Sequence, residues 1–330
     1  MMNRKAFEIQ FNWIFILVAG AAILLFFATI VVKQKNVSEA STKAIVLKTI
    51  EAITTGAGVS TDTINIVEIP NSNIEVSCNR VGKQYQNLIL FAPGLIKGDK
   101  LITQTLAFSV PYRAVNLLYM TSPQLRYIII GDNSLAKEIN KSLPSDLKKE
   151  FYKSSAEISN SNNYKVRFAV FGDVMIDFPK ALEKMPDSDV TAVKVKGDIE
   201  KGTIEFWQKK DNSWMSKGTS SYIGKSSLIG AVYSDTLEAY ECNMRNVFSR
   251  LNMVTKIYDE RTKNLLQKSS SSSRQVQCSQ FYASALTQLS IISTASSDFG
   301  SKSINDIAEA SKLLADENKN SQIYSCTLIY

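Results

Sequence analysis

The chain has 330 residues, a formal charge of +7, 45% hydrophobic residues, four cysteines and no histidine. Without histidine there is no Ser-His-Asp or Cys-His pair and no ordinary imidazole base, and four widely spaced cysteines do not make a clustered zinc site. The lysines are scattered and no binding motif accompanies them, so nucleic acid is not an expected partner.

From Trp13 to Val32 no residue is charged, and the one hydroxyl is Thr29. About 20 residues at about 1.5 Å each reach about 30 Å, the thickness of a bilayer's hydrocarbon core. A core helix of a soluble domain keeps a polar stripe, and this stretch has none. Trp13 and Phe15 at one end and Lys33 and Lys35 at the other suit the membrane interfaces. The reading is a single transmembrane helix over 13–32, preceded by a short cytoplasmic tail, 1–12. A cleaved signal fits less well, because the nearest small-x-small candidate after the apolar run, Ser38-Glu39-Ala40, lies beyond both lysines. Arg4 and Lys5 balance Lys33 and Lys35, so flanking charge leaves the orientation open.

Beyond the apolar stretch, Ala40, Ala44 and Leu47, with Val46, Ile50 and Ile53, recur at helical spacing until Gly56 and Gly58. This predicts an amphipathic stalk helix over 33–57, continuous with the span because no breaker separates them.

Region 58–232 alternates short apolar runs with helical stretches. Strands are predicted at Asn87–Phe91, Leu101–Val110, Arg126–Ile130, Lys165–Phe171, Thr191–Val195, Thr203–Trp207 and Leu228–Tyr233. Helices are predicted at Arg113–Met120, Ser134–Lys141, Ser145–Ser154 and Pro179–Lys184. The runs RYIIIG and VRFAVFG read as strands buried on both faces, and the alternation predicts an α/β layer with a substantially parallel sheet.

Region 233–330 changes period. Leu237, Tyr240, Met244, Val247, Leu251, Val254 and Tyr258 follow a heptad-like pattern. Asp235 with Glu238 starts that helix in the manner of a capping box. A second helix carries Cys278, Tyr282, Ala285, Leu289 and Ile292 on one face, and a third begins near Ile304. Three antiparallel helices are the economical arrangement. The expected fold class is α/β with an N-terminal transmembrane helix and a C-terminal antiparallel helical bundle.

That layout bears on the cysteines. Cys278 opens the second helix near the serine-run tip, and the third helix returns toward that tip before the tail reaches Cys326. Cys242 starts the first helix at the opposite end, which leaves Cys78 as its partner. Of three connectivities, Cys78–Cys242 with Cys278–Cys326 is the expected one; four buried free thiols are the alternative.

Few motifs carry chemistry. In KGTSSYIGKSSL the spacing from Gly218 to Gly224 is one residue too long for a phosphate-cradling loop. Gly131-Asp132 and Gly172-Asp173 each follow an apolar run, where open α/β sheets bind ligands. With Asp177 they are the candidate oxygen ligands for a divalent cation, although Gly-Asp pairs at Gly98-Asp99 and Gly197-Asp198 are explained by turn chemistry. Sequons occur at Asn36-Val37-Ser38 and Asn140-Lys141-Ser142, Asn140 being the candidate glycosylation site. No cofactor motif is present, and none is expected.

The segments FEIQFNWIFILVAGAAILLFF, LITQTLAFSVPYRAVNLLYMTSPQLRYIIIGD and SLIGAVYSDTLEAYECNM resemble an uncharacterised membrane-anchored family of small-genome archaea. That resemblance spans most of the chain and implies no activity. The N-terminus is also similar to type IV pilin-like proteins: Arg4-Lys5-Ala6 stands where their leader ends, and a long helix follows, apolar first and amphipathic later. The departure is that Phe11 occupies the fifth mature position, where pilins place Glu; Glu8 is second.

Together these readings predict a single-pass cell-membrane protein with its bulk outside the cytoplasm, a non-catalytic binding or envelope-assembly module. Its partners would be the membrane and other envelope proteins, or further copies of itself. A pilin-like subunit is the alternative, followed by an anchored enzyme or metal-binding protein using Asp132 and Asp173.

Overall fold

A computed structural model describes residues 4–330 except 79, 83, 86–88, 154–157, 160–162, 174–176 and 271–275. Two compact units are present, 1–52 and 53–330. Helix α1, Arg4–Val59, runs unbroken through the first unit and ends in the second. The described side chains of its apolar stretch, including Leu17, Leu24, Leu25 and Phe26, are exposed. Among the described residues no helix is long and apolar enough to cross a membrane. Several side chains of the 13–32 stretch, those at 13–16, 19, 31 and 32, lie outside the described residues. Within the stalk segment Val46 and Ile50 are buried and Ile45 is exposed, a one-sided pattern with helical period.

The second unit is a mixed α/β fold with two six-stranded sheets and a C-terminal helical region. The first sheet contains β1 (Ile64–Ser77), β2 (Arg80–Val81), β3 (Gln84–Tyr85), β4 (Ile89–Phe91), β5 (Leu95–Ser109) and β6 (Arg113–Thr121), in spatial order β3-β2-β1-β5-β6-β4. All its pairings are antiparallel except that of β4 with β6. The second sheet contains β7 (Leu125–Ile130), β8 (Lys148–Tyr152), β9 (Lys165–Phe171), β10 (Val190–Gly197), β11 (Lys201–Lys210) and β12 (Ser213–Ile223), in order β12-β11-β10-β9-β7-β8. Its β10-β9-β7-β8 half is parallel, and β11 and β12 add an antiparallel hairpin.

Helices α2 (Ser134–Ser142), α3 (Gly224–Tyr233), α4 (Leu237–Ser270), α5 (Val276–Ala295) and α6 (Ser301–Ile323) complete the unit. The last three pack in sequence, α4 on α5 and α5 on α6. Their apolar stripes, Tyr240, Met244, Val247 and Leu251 on α4 with Leu289 on α5 and Ile307 on α6, join the buried faces of both sheets in one core. A smaller core on the far face of the second sheet holds Ile128, Phe168, Val170 and Leu182. The bundle over 233–330 and the sheets of 58–232 therefore share an interior.

Several local expectations need correcting. Arg113–Met120, predicted as a helix, is strand β6, and Ser145–Ser154 contains strand β8. Leu228–Tyr233, predicted as a strand, belongs to α3, whose last eight residues are all buried. Pro179–Lys184 holds only a 3-10 turn, Lys180–Leu182. A short apolar run buried on every side has no period to read, and neighbours then decide between helix and strand. β1 and β12, both with exposed polar positions, went unpredicted.

Candidate functional site

The parallel half of the second sheet creates the place where ligands bind in open α/β folds. β7 and β9 are adjacent and parallel. From the end of β7 the chain leaves through α2 to β8 on one side, and from the end of β9 it leaves toward β10 on the other. The connections diverge there, which defines a topological switch point. The two Gly-Asp pairs stand at it.

Gly131 has φ +148°. A Cβ there would lie 3.1 Å from Phe171 Cβ and 3.2 Å from Ala136 Cβ, so glycine is what lets β7 turn into α2 this close to β9. Asn133 caps α2, its Oδ1 accepting from the Ala136 N–H at 2.8 Å. A Cβ on Gly172 would meet Asn133 Nδ2 at 3.5 Å, so the two turns are neighbours.

Both carboxylates at this point are already engaged by lysines. Asp132 lies 3.2 Å from Lys137 Nζ and 3.5 Å from Lys153 Nζ, and Asp173 lies 3.0 Å from Lys196 Nζ. The Lys137 hydrogen bond and the Lys153 charge hold the Asp132 carboxyl below the usual range, and the Lys196 hydrogen bond does so at Asp173. Asp177 is exposed; residues 174–176, which link it to Asp173, lie outside the described residues. Among the described residues no group of three or more His, Cys, Asp or Glu side chains could hold a metal ion. As built, the crevice is a solvent-facing carboxylate–ammonium network. Asn140 lies half-buried in the last turn of α2, its carbonyl accepting from Lys149 Nζ at 2.7 Å.

Below the crevice is a set of buried charges that the apolar reading of β7 and β9 missed. Arg126 is covered and bonds Glu150 through Nε at 2.7 Å and Ser159 O through Nη1 at 2.7 Å. Lys165 pairs with Asp235, which also accepts from the Gly94 N–H at 2.9 Å. Arg167 donates from Nη2 to Ala231 O at 2.9 Å and from Nε to Val232 O at 3.2 Å, and its guanidinium lies 5.3 Å from the Phe206 ring centre. Burial pushes its pKa down to about 10. The signal was visible: an Arg inside each of RYIIIG and VRFAVFG, since a strand buried on both faces keeps a cation only when it is paired.

A second concavity, about 380 Å³, lies along α4 beside the α5–α6 turn. Phe248 and Phe299 are among its lining residues and meet edge to face at 5.1 Å, and Arg245, Lys256, Asn252 and Asp298 contribute the polar part.

All four cysteines are paired, Cys78 with Cys242 and Cys278 with Cys326, as the helix layout led us to expect. Such bonds point to an oxidising, extracytoplasmic environment. No protein-family model, no curated protein and no solved structure matches the chain.

Proposed function

We propose that the protein is anchored in the cell membrane by residues 13–32 of α1, with its body outside the cytoplasm acting as a non-catalytic binding or envelope-assembly module. The observation that carries this reading is the pairing of all four cysteines in a chain that also contains a long uncharged apolar helix segment. Disulfides persist outside the cytoplasm, and an apolar stretch of about 20 residues matches the bilayer core. Other envelope proteins, or further copies of this chain, are the partners such a module would meet.

The test is membrane fractionation combined with protease treatment of intact cells. The protein should stay with membranes after alkaline washing. Proteolysis from outside should release body peptides in which Cys78–Cys242 and Cys278–Cys326 remain linked until reduced. Recovery in the soluble fraction, or thiols trapped free at lysis, would overturn the reading.

The unbroken helix from Arg4 to Val59 favours a second reading, a type IV pilin-like subunit with that helix as its spine. A mature N-terminus at Phe7 would select it; an intact Met1 would exclude it.

A further inference from the structure

Sheet edges are places where another chain can add a strand, and folded proteins cover, shorten, charge or bulge them. Most edges of these two sheets are dealt with in one of those ways. β4 has three residues, all buried, and Asn243 of α4 donates to its Leu90 carbonyl at 2.8 Å. β12 is packed against α3, α4 and α6. β8 carries Lys148, Lys149 and Glu150, and β3 is two residues long.

β1 is the exception. β2 pairs with it only at Val76 and Ser77. Among the described residues the first half, 64–68, therefore has β5 on one side and no strand on the other. The bulge between Glu68 and Ser72, which contains Pro70, ends this open stretch. Ile64, Asn65, Ile66 and Glu68 are all exposed, the two isoleucines by nearly half.

The ladder shows which groups are free. Thr105 N donates to Thr63 O at 2.9 Å, so Thr63 and Thr105 form a hydrogen-bonded pair. By the alternation of antiparallel ladders, Asn65 and Val67 also turn their peptide groups toward β5. Ile64, Ile66 and Glu68 then aim theirs at the open side.

We infer that β1 is a self-association edge, and that its occupant is the β1 strand of a second copy, running antiparallel about a two-fold axis through Asn65. In that register Ile64 of each copy faces Ile66 of the other as a hydrogen-bonded pair. The free peptide groups of one strand thereby meet those of its mate, and two Ile–Ile pairs close on one face. Residues 63–67 carry no charge. At the ends of the ladder Glu68 comes opposite Asp62 of the mate, but Glu68 is held by Lys100 at 3.4 Å and Asp62, at φ +55°, turns the chain out of the ladder. The same patch serves both copies, as a two-fold interface requires.

So short a ladder buries much less than the roughly 1,000 Å² of a stable free interface. Confinement of copies on one surface would supply the local concentration that it needs. That part rests on the membrane reading above.

The test uses the full chain carrying Asn65→Cys, reconstituted into phosphatidylcholine vesicles and oxidised with copper–phenanthroline. Facing Cα atoms in a non-hydrogen-bonded pair stand about 4.5 Å apart, within disulfide reach. Asn65→Cys should yield at least tenfold more covalent dimer than Asn71→Cys, an exposed position inside the bulge. Adding Ile64→Lys and Ile66→Lys to the Asn65→Cys chain should reduce the yield to the Asn71→Cys level, with the circular dichroism spectrum unchanged. Equal yields at 65 and 71, or a dimer that survives the lysines, would overturn the inference. Vesicle flotation reads anchoring separately: a chain that floats but does not cross-link sinks the edge pairing and leaves the anchor, whereas one that cross-links without floating does the reverse.

Discussion

Arg126 is held by one carboxylate and one carbonyl, so its cost of burial depends on Glu150 keeping its charge. The hydrogen bond from Arg126, aided by the Tyr152 hydroxyl, holds the Glu150 carboxyl below the ordinary glutamate value despite partial burial. A depressed folded-state pKa adds stability at pH values above the unfolded one, about 4.3, and loses it as the pH falls through the folded one. Glu150→Gln should therefore destabilise the protein by about 1–3 kcal/mol at pH 7. The gap to the parent should close as urea melts are taken down below pH 4. A gap independent of pH would mean that the carboxylate's charge does not matter there. Residue-level reading of the sequence placed Gly131 and Gly172 at strand ends, because a glycine ending an apolar run is a local signal. It took Gly98-Asp99 for a turn, but that pair lies inside β5 opposite the β1 bulge. It missed the partners of Arg126, Lys165 and Arg167, because Glu150, Asp235 and the α3 carbonyls are distant in sequence.

At the level of elements, what the sequence showed depended on whether an element keeps an exposed side. α4 shows its stripe at Tyr240, Met244, Val247 and Leu251 because the rest of its surface is polar. α3 is enclosed, every residue after its first two being buried, and so it reads equally as a strand. Its fit is tight at Gly230, where a Cβ would come within 2.9 Å of the Phe91 ring. Phe91 is itself stacked on Tyr119, with ring centres 5.8 Å apart. Gly230→Ala gains helix propensity of roughly 1 kcal/mol but must displace a ring held from both sides, at a typical cost of about 1–3 kcal/mol. The expected outcome is a lower melting temperature; a higher one would show that Phe91 has room to move. β6 misled for a related reason: Leu117, Leu118, Tyr119 and Met120 are buried on both faces, and consecutive burial erases the two-residue alternation that marks a strand.

Across the whole molecule, the disulfides were legible because three helices of known order leave few ways to bring four cysteines together. That first and second sheets would share one interior with the bundle was not, since that depends on contacts between residues far apart in sequence. Cys78–Cys242 spans 164 residues and Cys278–Cys326 spans 48. Chain entropy assigns them about 5 and about 4 kcal/mol, respectively. The tail is also held by hydrogen bonds, Asn318 Oδ1 accepting from Ile329 N at 2.8 Å and Thr327 O from the Tyr282 hydroxyl at 2.9 Å. Replacing Cys78 and Cys242 by alanine should thus cost more, in guanidinium melts of the body, than replacing Cys278 and Cys326. The opposite order would mean that the unfolded chain is already constrained near Cys78.

The two covalent loops follow one another along the chain without interlacing. Seen mechanically, that arrangement makes the body a fuse of fixed length. A pull between its two chain ends bypasses residues 79–241 and 279–325 through sulfur–sulfur bonds. Only the stretches 53–77, 243–277 and 327–330 can pay out under tension. The strands from β2 to β12 lie inside the first loop and would be shielded from the load, whereas β1, peeling from β5, and α4, which links the loops, would be the elements that yield.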